Sequence, residues 1–283
     1  MRQRFTYRTS LQFGTPDNLS LTYNGNQLKK VTDQRADLAC VGAMDFKDDE
    51  DMSVEYSRDA NGNKTCYRNK NIWIIKYNVL NLPERIDHMG GHVVRNTYAS
   101  DGRKLRATCL VSNIAVMEQD GINVVGGSPD GVMVDRTIPF NPPGPLNPPG
   151  PVVPSGPTTY LTLDYCGNKV YRNGVLERTE NDYGYLADST YYYYIRDYQG
   201  NVHAVIDQNG ALKEINNYYP YGCLMGAASA SVQPNKYGGK ELDRKNGIDW
   251  YDFEARFQDP MFPMFTTQDL LAEQTSSIST YAY

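Results

Sequence analysis

Histidines, cysteines and clustered carboxylates most readily bind metals or move protons, and this sequence spaces few of them usefully. Of its three histidines, His88 and His92 flank Met89-Gly90-Gly91, which reads as a hairpin tip. Two imidazoles across a turn can hold a metal ion, but no third ligand accompanies them. His203 falls on a predicted strand and reads as a sheet residue, so neither metal nor cofactor is expected. The cysteines Cys40, Cys66, Cys109, Cys166 and Cys223 are scattered, odd in number and never spaced C-x-x-C. They read as buried free thiols rather than a disulfide framework or a zinc knuckle. The run Asp48-Asp49-Glu50-Asp51 reads as a solvated loop, with a cation site as the other reading. P-loop, G-x-S-x-G and H-E-x-x-H patterns are absent. The 23 tyrosines carry two readings. Aromatic platforms stack on pyranose rings, so they can form a glycan-binding face. They are also ordinary cross-strand partners, worth about 0.2–1 kcal/mol per pair.

The elements that must position these residues are strands. Tyrosine suits a pleated, half-buried surface, and the 24 glycines supply the positive φ of tight turns. Tyr56, Tyr77 and Tyr98 recur at equal spacing, each leading into a polar turn and a second short strand. An earlier copy opens at Tyr23 (Tyr-Asn-Gly-Asn-Gln-Leu) and a degenerate one at Tyr165 (Tyr-Cys-Gly-Asn-Lys-Val). Asn-Gly occurs at Asn24, Asn61, Asn173, Asn209 and Asn246, and Asp-Gly at Asp101, Asp120 and Asp130. Asn-Gly predicts type I′ hairpins, whose two central residues both need φ > 0. One such unit cannot bury its apolar face alone, so neighbouring units must pair. Tyr191-Tyr192-Tyr193-Tyr194-Ile195 predicts a strand covered on both faces, or one whose single face stacks on a neighbour. A short helix is expected at most near Leu270-Leu271-Ala272-Glu273.

The stretch Ile138–Pro157 is rich in Pro-Pro-Gly and cannot be a central strand, because proline removes ladder donors. It reads as an extended insertion loop. The chain thus divides into hairpin repeats over 1–112, an irregular insertion over 113–157 and a second repeat-like region over 158–283. Apolar residues make up 40% of the 283 and the net charge is −5, which argues against a nucleic-acid partner. No apolar run is long enough to span a membrane. Met1-Arg2-Gln3-Arg4-Phe5 is followed by no apolar stretch, so it does not read as a secretory signal. The chain enters repeat-like sequence almost at once, as if starting inside a larger architecture.

Four ordered segments carry a family likeness. Tyr194-Ile195-Arg196-Asp197-Tyr198-Gln199-Gly200-Asn201-Val202 resembles the Y-L-x-D-H-x-G-N/S-x segment of the RHS (YD-repeat) family. Tyr218-Tyr219-Pro220-Tyr221-Gly222 resembles its Y-x-P-F/Y-G. Lys236-Tyr237-Gly238-Gly239-Lys240-Glu241-Leu242-Asp243 is similar to its Y-x-F/Y-x-G-K-E-x-D. Trp250-Tyr251-Asp252-Phe253-Glu254-Ala255-Arg256-Phe257-Gln258-Asp259-Pro260 resembles its Y-Y-x-A-R-x-Y-D-P. The likeness covers about Tyr191 to Tyr283, the RHS repeat-associated core, and more loosely Tyr23 to Arg106. It implies an all-β fold: antiparallel hairpin repeats forming part of a spiralling shell, related to teneurin and toxin-complex shells. In bacterial members the shell encloses a variable C-terminal toxin or effector. The teneurins use it in cell-surface adhesion, and family members are often exported.

The core of several bacterial members is also an aspartyl autoprotease. Asp259 and Asp269 stand where the family's two aspartates stand, with Arg256 at its motif arginine. An aspartyl dyad needs one carboxyl ionised and the other protonated, and Arg256 can hold a carboxylate bidentately. This sequence departs from the pattern with Pro263-Met264 in place of Gly-Arg and Gln268-Asp269-Leu270 in place of Pro-Asp-Pro. It also ends before a family-type cleavage point. The expectation is therefore a structural shell fragment without enzymatic activity, partnered by other shell segments or by a C-terminal toxin. An aspartyl autoprotease needing downstream sequence and a cell-surface glycan-binding module are the alternatives. An incomplete spiral leaves open strand edges, so the isolated chain is expected to be poorly soluble or to pair with another subunit.

Overall fold

In the computed structural model, residues 6–9, 12–14, 17–34, 44, 46–48, 52–112, 158–225, 232–274 and 277–283 are described. They form antiparallel sheets and short 3-10 turns. The largest sheet has thirteen strands in chain order. It begins with Tyr56–Arg58, Lys64–Tyr67, Ile72–Tyr77, Pro83–His88, Val93–Tyr98 and Lys104–Ser112. It continues with Thr158–Cys166, Lys169–Arg172, Val175–Asn181, Gly184–Ala187, Thr190–Arg196, Val202–Asp207 and Leu212–Ile215. Residues 113–157, with the Pro-rich stretch and the Asp120 and Asp130 turns, lie outside the described residues. The sheet nevertheless runs on across them, because Ser112 pairs with Thr158 and Cys109 with Leu161.

The pairing register puts one apolar face in line. Ile75 pairs with Ile86, Ile86 with Val94, Val94 with Cys109 and Cys109 with Leu161. Because side chains alternate across a strand, such a line across five strands defines a single buried face. It is covered by a second sheet of four short strands, Glu241–Asp243, Trp250–Asp252, Phe257–Asp259 and Met264–Phe265. Trp250, Tyr251, Phe257 and Phe262 from this small sheet and its turns join Tyr67, Ile75, Ile86 and Val94 in one core. The hairpin Leu19–Asn24/Gln27–Asp33 closes that core at one end through Leu19, Leu28 and Val31.

Thr190–Arg196 follows the second of its two expected arrangements. Tyr192 and Tyr194 pack on Tyr185, with the Tyr185 and Tyr192 rings stacked at 4.7 Å. Tyr191, Tyr193 and Ile195 on the other face remain 42–48% exposed. The region near Leu270 holds one 3-10 turn, Ala272–Gln274.

Two of the repeat tyrosines, Tyr77 and Tyr98, and also Tyr218 anchor strands through their hydroxyls. Tyr77 donates to the carbonyl of Lys64 at 2.7 Å, Tyr98 to that of Pro83 at 3.1 Å and Tyr218 to that of Val202 at 2.6 Å. In each case the acceptor is the first residue of a strand. The turns correct the type I′ expectation. Both residues have positive φ at Asn173–Gly174 (50° and 81°) and Asn246–Gly247 (52° and 74°), but at Asn61–Gly62, Asp101–Gly102 and Asn209–Gly210 the glycine alone does. At Asn61 and Asn209, and in the turns that follow Asn78 and Asp197, a side-chain cap four residues before the turn closes favours this form. The Asp101–Gly102 turn, with Ala99 at that position, takes it with backbone bonds in place of the cap. Asp59 accepts the N–H groups of Asn61 and Asn63, Asn78 those of Leu80 and Leu82, Asp197 those of Gln199 and Asn201, and Asp207 those of Asn209 and Ala211. This Asx cap stabilises a type I turn followed by one left-handed residue. Replacing Tyr77 or Tyr98 by Phe is expected to lower stability by about 1 kcal/mol each, the usual net worth of a hydrogen bond. Tyr183→Phe, at a side chain 77% exposed, is the control. Urea unfolding measures all three, and unchanged midpoints at both half-buried sites would refute the anchoring role.

Candidate functional site

The small sheet is pinned to the large one by buried ion pairs at three places. Lys64 opens the strand Lys64–Tyr67 and points inward. Its Nζ lies 3.4 Å from Asp259 Oδ2, and both side chains are fully buried. The Tyr67 and Tyr56 ring centroids lie 4.2 and 5.4 Å from the same ammonium. Lys70 approaches the other oxygen of Asp259 at 3.9 Å and donates to the Ile248 carbonyl at 2.6 Å. At the second place Lys104 Nζ sits 3.2 Å from Glu241 and 2.9 Å from Asp252, on two neighbouring strands of the small sheet. Tyr165 donates to Glu241 at 2.8 Å, and Lys245 pairs with Asp243 at 3.1 Å. At the third place Lys236, in the loop leading to the small sheet, meets Glu214 on the last strand of the large sheet at 2.5 Å. Glu214 also accepts from the Val232 N–H at 2.7 Å and from the Asn216 amide.

The surroundings of these lysines differ, and so does their proton affinity. Burial drives Lys64 from the ordinary lysine value down to about 7; the facing Asp259 opposes the shift, and the nearby Arg58 and Lys70 cations add to it. Burial also works against the charge on Lys104, but Glu241 and Asp252 overrule it and hold that ammonium well above its ordinary value. Against the same penalty, Lys104 and Lys245 hold Glu241 down at about 2.

The three residues marked by the resemblance fall into two places. Asp259, at the end of the buried strand Phe257–Asp259, faces lysines, and its Oδ1 accepts the Met261 N–H at 3.2 Å. Asp269 sits in a half-exposed turn, where Arg256 Nη2 meets it at 2.8 Å. The Arg256 guanidinium stacks 3.7 Å from the Phe265 ring centroid. Arg256 and Asp269 are thus brought together. Among the described residues no hydrogen bond or ion pair joins Asp259 to Asp269.

His88 is buried and pushed down to about 4 by burial and by the nearby His92. No group of three metal-ligating side chains occurs among the described residues. His203 bridges the Asn216 carbonyl at 3.1 Å and Asp197 at 3.3 Å within the sheet. Asp48 accepts the Asp33 N–H, and the remainder of its acidic run lies outside the described residues, as does Cys40. Cys109 and Cys223 are buried, Cys66 is half-buried and Cys166 is exposed, all as free thiols. Among the described residues no helix is long and apolar enough to cross a membrane.

The buried lysines escaped the sequence reading, since a lysine beside a polar turn looks like a solvated residue. Their one signal was position. Lys236 and Glu241 both stand in the Lys236–Asp243 segment, and Asp259 closes the Trp250–Pro260 segment. The four segments interlock: Val202 N–H donates to Lys236 O at 3.0 Å and Gly238 N–H to Asn201 Oδ1 at 2.7 Å. Tyr251 donates to Gly222 O at 2.8 Å and Gln258 to Tyr221 O at 3.0 Å.

Lys64→Ala or Asp259→Asn is expected to lower stability by about 3–5 kcal/mol, the effect of breaking a buried ion pair. The apolar double replacement Lys64→Met/Asp259→Leu should recover most of it. A double variant no more stable than the singles in urea titrations would show that the pair is not the interaction lost. The pH dependence has a definite sign. Between about 7 and 10.5 the folded chain has released the Lys64 proton that the unfolded chain still holds. Stability from this site therefore rises with pH across that window. The stability of the native chain relative to Lys64→Met should climb there; a flat difference would contradict the assignment.

No protein-family model matches the chain, and no curated protein does. Solved structures do. The chain is similar to a TcdB2-TccC3-Cdc42 crystal structure, with a TM-score of 0.59 and 13% identity over 98% of its length. It is also similar to a TcdB2-TccC3 structure (TM-score 0.55, 14% identity, 92% covered). A Tc holotoxin pore of Photorhabdus luminescens matches with a TM-score of 0.54 and 13% identity over 96% of the chain. The chain spans between 12% and 14% of the length of those chains. At this identity the likeness is one of fold: an all-β, antiparallel architecture shared with the β-shell chains of Tc toxins.

Proposed function

We propose that this chain is a structural part of an RHS-type shell, a length of wall with its core sheet docked on it, and that it acts without catalysis. The interlock of the four family-like segments carries this reading. Each is joined to another by a direct hydrogen bond, through the turns and loops that flank the large and small sheets. Residues kept for a shared architecture would be spent in this way. The fold likeness to Tc toxin chains supports the same reading, and so does the strictly sequential strand order, which can be extended hairpin by hairpin. In such a shell the partners are further wall segments and a variable toxin or effector held or presented by them.

The non-catalytic part of the proposal rests on Asp259. Its neighbours are two ammonium groups rather than a second carboxyl, an arrangement suited to holding two sheets together. The wall reading places its partner at the last strand, Leu212–Ile215, which has one strand neighbour among the described residues and so offers an unpaired edge. Light scattering after size exclusion should find the isolated chain associating as concentration rises. Appending the downstream coding sequence should leave the chain uncut on a gel. A stable monomer at high concentration would argue against the wall role. A cut abolished by Asp259→Asn would replace the non-catalytic reading with the autoprotease one.

A further inference from the structure

Asn-Gly occurs at Asn24, Asn61, Asn173, Asn209 and Asn246. Glycine leaves the backbone nitrogen after an asparagine uncrowded. That nitrogen can attack the asparagine's own side-chain carbonyl and expel ammonia. The attack needs two freedoms. The glycine N–H must be clear of an acceptor, and the asparagine side chain must be able to turn back toward it.

Hydrogen bonds remove one or both freedoms at four of these places. Gly62 N–H donates to Asp59 O at 3.0 Å, Gly210 N–H to Asp207 O at 2.9 Å and Gly247 N–H to Arg244 O at 3.1 Å. Two of the side chains are tied as well: Asn61 Nδ2 donates to Asn81 Oδ1 and Asn246 Nδ2 to Cys109 Sγ, each at 3.3 Å. Asn173 is held through its carbonyl, since Oδ1 accepts the Thr162 N–H at 2.8 Å from the neighbouring strand. Exposure does not separate the sites, because Asn24, Asn61, Asn173 and Asn209 are all exposed.

Asn24 escapes both restraints. It pairs with Gln27 across the two-residue loop Gly25-Asn26. Gly25 has a φ of 57° and Asn26 has no positive φ, the form of a type II′ turn. The bond that closes such a turn joins the residues flanking the loop, so the Gly25 N–H stays outside it. Among the described residues neither that N–H nor the Asn24 side chain takes part in a hydrogen bond. The space beside Gly25 is open: a Cβ there would meet nothing within 4 Å. Asn24 also shares a shallow cavity of about 140 Å³ with Lys29 and Arg58, and no carboxylate lines it.

We propose that Asn24 is a self-modification site that converts to aspartate and isoaspartate, while the fold protects the other four Asn-Gly pairs. Nothing in this depends on the shell reading. The Gly25 nitrogen loses its proton to base and bonds to Asn24 Cγ. The Cγ–Nδ2 bond breaks, and Nδ2 takes up a proton and leaves as ammonia. A five-membered succinimide remains. Water opens it at Cγ to give aspartate, or at the main-chain carbonyl to give isoaspartate. One water enters, one ammonia departs and one negative charge is gained. The new carboxylate forms in the cavity lined by Lys29 and Arg58. In isoaspartate the backbone runs through Cγ, which adds a methylene to the main chain at the hairpin tip.

The test incubates the full chain at mildly alkaline pH and follows each site by peptide mass spectrometry, with isoaspartate scored by methyl transfer from an isoaspartyl methyltransferase. In the folded chain Asn24 should convert at least about tenfold faster than any of the other four, which must first open their hydrogen bonds. In concentrated urea the five rates should converge to within about threefold, as the fold no longer distinguishes them. The rate at Asn24 should rise with pH, because the attacking nitrogen must be deprotonated. Equal rates at the five sites of the folded chain would overturn the proposal. So would a lead of Asn24 that persists undiminished in urea, which would assign it to local sequence rather than to the fold.

Discussion

Removing an ammonium from water carries a penalty of several kcal/mol unless a carboxylate meets it with good geometry. That constraint acts between the two sheets of this fold at Lys64, Lys104 and Lys236. The rest of the structure is arranged around it. A large sheet with one apolar face must be covered, but hydrophobic burial is non-directional and tolerates sliding of the cover. A buried lysine does not: sliding the cover by one residue, about 3.3 Å along the strands, would pull the carboxylate out of reach of its ammonium. Apolar contact between Trp250, Phe257 and Phe262 and the face lined by Ile75, Ile86 and Val94 supplies the attraction. The ion pairs decide where along the sheet the cover sits.

These clamps are not equivalent. Lys104 is held between carboxylates on two adjacent strands of the small sheet, so that one cation also ties those strands together. Lys64 has a single carboxylate opposite it and two further cations nearby, and aromatic faces do part of the work that a second carboxylate does at Lys104. Burial therefore lowers the proton affinity of one lysine, while its neighbours raise that of the other. Around neutral pH the Lys64 end is the electrostatically softer attachment.

The strands were legible in the sequence because period-two alternation and recurrent tyrosines depend only on local chain geometry. The tyrosine spacing even marked the strand ends, since Tyr77 and Tyr98 each reach the first carbonyl of a strand. Turn type was less legible. Asn61-Gly62 satisfies the pair rule for a type I′ turn, but Asp59 two residues earlier captures the N–H groups of Asn61 and Asn63 and selects a different loop. Asn173-Gly174 has no such cap from its own turn, and there the pair rule holds. At the candidate site, the Arg256–Asp269 pairing lay within reach of motif reading because both residues sit close in sequence. The partner of Asp259 did not. Lys64 lies far away in the chain beside a polar turn, and only the docking of the two sheets reveals that it points inward.

Docking also bears on whether the large and small sheets are separable. The small sheet's strands are three, three, three and two residues long, shorter than the roughly five to six typical of strands that persist in globular folds. Their ladders supply few hydrogen bonds, and their largest side chains, Trp250 and Tyr251, are fully buried only because the large sheet and its flanking turns cover them. Each sheet thus falls short when taken alone: the large one leaves a bare apolar face and the small one has too little backbone pairing. The two must fold as one cooperative unit, and the family-like segments lie where that mutual dependence is greatest.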